Sequence, residues 1–352
     1  MNIRFSIIAL FFFVSGCQKV YEMGGDAGLP EATGDFAEMI VLTDEVSKAA
    51  LKTAINEALA YDAPGLPPPE EPILRLRYTD QNFLKGFFKK HFQMFAVIHR
   101  GNWKLFADFF DEANRSKLNA ALKSEKPIML TLKNVWAKPQ LLHILVGPDI
   151  QILQSYIIDH ADALHKVINK GGMELGVQKL YGKNLYKDSL FIQYFNTRGY
   201  GLAKPASVRI AAKREDFLWF RKGGSKYDLG VFMYEEPYKG TDQFSSDYIV
   251  KLRNKMTQKY ILGQLDSTYM QVESEFPITV DTLEWNGLYA VETRGWWKLE
   301  NDFMGGPFVS YTILSNKKDK IITIEGNVYA PNQPKVKYMR ETEIMLSTFK
   351  SK

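Results

Sequence analysis

The spacing of apolar residues changes character once along this chain, near residue 198, and that change limits the fold more than any other feature. Before it, short apolar runs alternate with helical stripes. Met39–Leu42 is a strand-like run, Thr43-Asp44 supplies a helix cap, and Leu51, Ile55 and Leu59 then repeat at i, i+4, i+8. Ile73–Tyr78 alternates, and 92–98 reads as a buried strand, with further strands at 128–135 and 140–146. Pro148 and Asp149 open a long helix whose stripe is Ile150, Leu153, Ile157, Ala161, Leu164 and Ile168, and Gly171-Gly172 is expected to stop it. A second helical stretch runs to about Tyr194. Strand and helix in alternation predict an α/β domain over 33–196.

After Arg198–Pro205 the runs are extended, at Val208–Ala212, Phe217–Arg221, Leu229–Tyr234, Leu288–Leu299, Phe308–Leu314 and Ile321–Ala330. One helix interrupts them at 246–260, and another carries Tyr338, Thr342, Met345 and Phe349 on one face. This pattern predicts an α+β domain over 197–352, an antiparallel sheet with packed helices. Between 64 and 72 five of the 15 prolines crowd together, so neither helix nor central strand survives there and a rigid extended loop is expected. No internal repeat is present.

The N-terminus reads as an address. Arg4 is a basic n-region and Phe5–Val14 an apolar h-region. As a helix that run reaches about 15 Å, half of a bilayer core, so it is a secretory signal peptide and not a span. It ends in Val14-Ser15-Gly16-Cys17, which resembles a bacterial lipobox. Residues 1–16 are therefore expected to be cleaved and Cys17 to carry acyl chains (palmitate among them), more than one chain giving stable anchoring. Cys17 is the only cysteine, so the mature chain has no thiol for catalysis and no disulfide framework. Residues 17–32 read as a lipidated tether. Gln18-Lys19 partly resembles a surface-export signal, but Val20-Tyr21 stands where an acidic pair belongs, so the periplasmic face of the outer membrane is expected.

Five stretches carry a family resemblance: GLPPPEEP (65–72), NVWAKPQ (134–140), DFLWFR (216–221), NGLYAVETRGWWKLENDFMGGPFVS (286–310) and EGNVYAP (325–331). They resemble a family of uncharacterised lipoproteins of Bacteroidetes-type bacteria, a domain of unknown function, over nearly all of the mature chain. The resemblance implies a place in the cell envelope; it brings with it no assigned activity and no catalytic residues. The C-terminal half is also similar in fold to PsbP-type extrinsic proteins, through an opening G-x-x-x-P strand at 201–205 and a last helix ending S-x-F-K at 347–350.

Signatures of chemistry are sparse. Gly171–Gly176 is followed by Val177 where a phosphate-binding loop needs lysine, and Gly199-Tyr200-Gly201 runs into Pro205 instead of opening a dinucleotide-binding helix. No G-x-S-x-G or H-E-x-x-H occurs, and neither a cofactor nor a metal site is expected. His160 and His165 lie roughly 140° apart on a helix and cannot grip one ion. His143 sits in an apolar strand as a core histidine. The net charge of +5 is too small for a nucleic-acid binder by charge alone. Locally, 198–226 holds eight cations (Arg198, Lys204, Arg209, Lys213, Arg214, Arg221, Lys222, Lys226) against Glu215 and Asp216. These are read as solvated strand faces, with a patch for an anionic partner as the alternative.

The strongest site candidate is the strand 288–299. Alternation places Val291, Thr293, Gly295 and Trp297 on a core face, and Glu292, Arg294 and Trp296 on the other, where Trp296 can stack on Arg294. Glu300 and Asp302 follow. A tryptophan beside carboxylates suits a glycan, and the competing reading is a buried Glu292–Arg294 pair under helices. The expected function is thus a lipid-anchored envelope module that binds or scaffolds, its partner a glycan or another envelope protein. A glycan hydrolase using carboxylates near Trp296, and an envelope assembly factor, are the alternatives.

Overall fold

A computed structural model describes the backbone of residues 19–21 and, in full, residues 28–66, 68–224, 226–285 and 287–352. Cys17, the signal peptide and most of the tether lie outside the described residues. The N-terminal half runs β1 (Lys19–Tyr21), β2 (Glu38–Leu42), α1 (Glu45–Leu59), β3 (Arg75–Thr79), α2 (Gly86–Lys90), β4 (Gln93–His99), α3 (Trp103–Phe106), α4 (Glu112–Ala121), β5 (Ile128–Lys133), β6 (Leu141–Gly147), α5 (Ile150–Asp159) and α6 (Ala161–Tyr181). The sheet order is β1-β5-β6-β4-β2-β3, and every pair is parallel except β5–β6. Central strands β4 and β6 are buried along their whole length, as continuous apolar runs with helices on both faces must be. Met39, Val41, Phe95 and Val97 meet α1, α5 and α6 on one side, and Ile40, Met94, Ile144 and Val146 meet Phe106 and Leu118 on the other.

Two local expectations are corrected. The long helix breaks at His160, whose backbone ends α5, and Gly171-Gly172 does not stop α6. Those glycines sit in its buried face: a Cβ on Gly171 would lie 2.9 Å from Leu141 and one on Gly172 2.8 Å from Gln93. They are there for close approach of helix to sheet, and the stop falls at Gly182 (φ 52°). The segment read as a tether also contributes β1, paired with Leu130–Leu132.

The C-terminal half comprises α7 (Ser189–Arg198), β7 (Tyr200–Gly201), β8 (Arg209–Lys213), β9 (Phe217–Gly223), β10 (Asp228–Pro237), α8 (Ser246–Tyr260), β11 (Met270–Val272), β12 (Thr279–Trp285), β13 (Leu288–Leu299), β14 (Gly305–Leu314), β15 (Lys320–Tyr329), α9 (Val336–Leu346) and β16 (Lys350–Ser351). Its antiparallel sheet, ordered β13-β14-β15-β10-β9-β8, curls into a half-barrel, with β11 and β12 sharing the outer edge of β13. α9 covers one face and α8 the other. α7 straddles the boundary expected near 196, and its Leu190 and Tyr194 join the C-terminal core. Among the described residues no helix is long and apolar enough to cross a membrane.

The halves meet along α9. Arg340, almost fully buried, donates to the Phe36 carbonyl (2.8 Å) and to Asn169 Oδ1 (2.9 Å). Gly176 of α6 lies against Ile344, where a Cβ would clash. Glu71, from the proline-rich loop, accepts the Lys335 and Val336 amides that open α9.

Candidate functional site

β13 alternates as the sequence predicts, with Thr293 and Trp297 buried in the core and Glu292, Arg294 and Trp296 on the other face. The latter face turns toward the junction of the two halves. Arg294 Nε and Nη2 donate to both oxygens of Glu292 (2.7 and 3.1 Å), and Nη1 reaches Glu343 on α9 at 2.7 Å. The Tyr311 hydroxyl donates to Glu292 Oε2 at 2.7 Å, and its ring stacks on Trp285 at 3.9 Å. Arg294 therefore ties two carboxylates from different elements, both mostly buried.

The electrostatics follow from that geometry. Burial pushes the Glu292 carboxyl up, but the Arg294 and Tyr311 hydrogen bonds more than offset it and hold the group below the ordinary carboxylate range. Arg294, despite burial, is held well above its ordinary value by Glu343 and Glu292. Burial, with the Glu292 charge beside it, raises the Tyr311 phenol well above its usual range. Three donors take three of the roughly four acceptor sites of this ionised carboxylate, and it has no proton to give at neutral pH.

The proline-rich loop closes over this group. Gly65, in the left-handed region at φ 77°, comes so near that a Cβ would lie 2.8 Å from Arg294 Cβ. Beneath the loop remains a cavity of about 20 Å³, edged by Pro64, Arg294, Met339 and Glu343. That is room for one water.

The other predicted residues lie apart. Trp296 is half-buried against the Phe276 ring (5.5 Å), not stacked on Arg294. Glu300 accepts from Gln271 and neighbours Lys298. Asp302 sits in the turn after β13 and accepts the Phe303 amide at 2.6 Å. Eight residues of strand separate Glu292 from Glu300 by roughly 25 Å, well beyond the ~5–9.5 Å at which paired carboxylates cleave a glycoside.

Of the eight cations at 198–226, four are ion-paired: Arg198 with Glu235, Lys204 with Asp188, Arg221 with Asp228 and Lys222 with Glu341. Arg209 and Lys213 lie on the exposed edge strand β8. His143 is a core histidine, bonded to Thr131 at 3.0 Å and held neutral by burial down to about 4. The residues that sequence reading missed are Glu71, Tyr311, Arg340 and Glu343. Only the proline cluster marked the spot, since the partners of Arg294 come from elements far away in sequence.

Residues 32–180 match a domain of unknown function, DUF8532, and residues 189–348 match a second, DUF4837. The chain is thus two domains of unknown function in tandem over 32–348, and the division falls at the end of α6. No curated protein matches it.

Proposed function

We propose that this protein is a lipid-anchored cell-envelope module that binds or scaffolds and performs no catalysis. The observation that carries this reading is the closure of the Glu292–Arg294–Glu343 group. The best carboxylate candidate spends both oxygens on Arg294 and Tyr311, and a loop of the other domain seals it. What the strand offers is a joint between domains. The lipobox ending at Cys17 and the likeness to Bacteroidetes-type lipoproteins support anchoring at the outer membrane, on its periplasmic face. The half-barrel with helices supports the PsbP-type likeness at the level of fold alone.

Two experiments test the reading. Incorporation of a palmitate analogue should occur in the parent chain and disappear in Cys17→Ala, with release from the membrane fraction; a variant that stays membrane-bound with unchanged mobility sinks the anchor. The purified protein should release no product from peptidoglycan or acidic polysaccharides. Steady turnover abolished by Glu292→Gln would establish the hydrolase instead.

A further inference from the structure

Strand register fixes which end of the N-terminal sheet an anchor at Cys17 turns toward the membrane. β1 runs parallel to β5 with Lys19 opposite Leu130, and β5 starts at Ile128. Ile128 pairs with Val146, and the next residue, Gly147, pairs with His99. The start of β5 therefore lies where β4 and β6 end, and β1 runs away from that end. Cys17 precedes Lys19 by two residues, and a chain spans at most about 3.6 Å per residue, so acyl chains on Cys17 leave the protein within roughly 7 Å of Lys19. The C-terminal half holds the opposite end of the sheet, where Arg340 reaches the Phe36 carbonyl just before β2.

Hydrogen bonds stitch the loops of the anchor end together. The Thr43 amide donates to the Thr79 carbonyl (3.0 Å), which joins the ends of β2 and β3. Asn102 Nδ2 donates to Asp44 Oδ2 (2.7 Å) and Ser47 Oγ meets His99 Nε2 (3.0 Å), which joins the start of α1 to the end of β4. Arg100 donates to the Leu122 and Ser124 carbonyls (2.9 and 3.1 Å), which joins β4 to the turn before β5. On this joined surface Val46, directly before Ser47, is 70% exposed. Leu105, whose amide donates to the Asn102 carbonyl at 3.0 Å, is 45% exposed. Phe83 in the turn after β3 (62%) and Ile152 in the first turn of α5 (38%) extend it.

The free charge of this end has one sign. Asp44 and Asp80 are buried and accept the amides that open α1 and the turn after β3, and Asp149 caps α5. Glu45 is bridged to Lys48, and Glu125 to Arg100. Lys85, Lys104, Lys123 and Lys126 are exposed, and among the described residues none of the four is ion-paired. Lysines interleaved with protruding apolar side chains match an anionic bilayer surface, whose headgroup layer admits the apolar groups and whose phosphates meet the ammonium groups.

We propose that the carboxyl-end surface of the N-terminal sheet lies on the membrane and binds anionic phospholipid headgroups through Lys85, Lys104, Lys123 and Lys126, with Val46, Phe83, Leu105 and Ile152 entering the headgroup layer among them. The inference rests on the anchor at Cys17 and adds the face that the anchor presents. The C-terminal half, at the other end of the sheet, is then held away from the bilayer.

The test uses the lipidated full chain in vesicles of phosphatidylethanolamine and phosphatidylglycerol. With Cys17 acylated, Leu105→Cys, Ile152→Cys and Lys90→Cys each introduce the only free thiol, which takes a nitroxide label; Lys90 is exposed and stands before β4, at the opposite end. The labels at 105 and 152 should be relaxed more by oxygen than by a water-soluble nickel chelate, and the label at 90 the reverse. Lys104→Glu, Lys123→Glu and Lys126→Glu together should open the label at 105 to the chelate while the chain stays anchored. The proposal is overturned if all three labels relax alike, or if the triple variant leaves the label at 105 as it was. A parent chain whose Cys17 itself takes the label has no anchor, which rejects the anchoring reading. The face is then decided by Cys17→Ser carrying the label at 105: oxygen-favoured relaxation on phosphatidylglycerol vesicles and none on phosphatidylcholine upholds it, and equal behaviour on both overturns it.

Discussion

The carboxylate of Glu71 caps a helix that begins 265 residues later, accepting the Val336 amide at 3.0 Å. It also accepts the Lys335 amide at 2.7 Å, and Lys335, in the cap position of α9, offers no side-chain bond of its own. An anion at a helix N-terminus both satisfies orphan donors and complements the macrodipole. The proline-rich loop thus presents the missing cap of the other domain.

Glu71→Ala should therefore destabilise the whole protein by about 1–2 kcal/mol. The thermal midpoint should fall by roughly 2–4 °C in a calorimetric scan. An unchanged midpoint would show that water replaces the carboxylate at no cost.

Arg294→Ala should be the most damaging single change at the junction. It leaves Glu292 and Glu343 mostly buried without their shared cation, a loss of about 3–5 kcal/mol by denaturant unfolding. Because the folded-state pKa of Glu292 is depressed, its contribution is full above the unfolded carboxyl value of about 4.3 and is lost as pH falls through the lower folded value. Glu292→Gln should flatten the acid limb of the stability curve in that window.

Above that window the histidines take over. Burial holds His143 at about 4, and holds His91, His99 and His165 below their ordinary value as well. An unfolded histidine binds its proton near 6.5, so the unfolded chain takes up protons that the folded one refuses, and stability falls from about pH 6.5 downward. In His143→Gln the unfolding midpoint should vary less between pH 6.5 and 4; a slope identical to the parent's would mean that His143 is not buried neutral.

Gly176→Ala sets helix propensity against packing. Alanine gains about 1 kcal/mol in a helix interior, but its Cβ meets Ile344, which is fully buried and cannot swing away. Overpacking of this kind costs about 1–3 kcal/mol, so the net change should be destabilising. Ile344→Val in the same chain should recover part of the loss, whereas Ile344→Val alone should destabilise.

The fold was largely legible in the sequence because its central elements are periodic. Met39–Leu42, the Asp44 cap with Leu51, Ile55 and Leu59, and the 246–260 helix all stand where the spacing put them. β12 escaped notice since Thr279–Thr282 is exposed on both faces and only Leu283 and Trp285 alternate toward the core, too short a run to mark a strand. The glycines of α6 misled for a different reason: a local rule reads them as a stop, while Leu141, Gln93 and Ile344 need the room. At the candidate site, alternation correctly separated Trp297 from Trp296. It could not supply Glu343, Arg340 or Tyr311, because strand spacing says nothing about what another element brings to the face.

The seam along α9 also fixes an order of events. Phe36 and Asn169 wait for Arg340, Gly176 for Ile344, and α9 itself for Glu71, while β16 at 350–351 must reach back to β7 at 200–201. A chain made from its N-terminus has completed residues 33–196 for some time before 336–351 emerge. Until then the earlier half keeps an incompletely covered flank, which only the last helix closes.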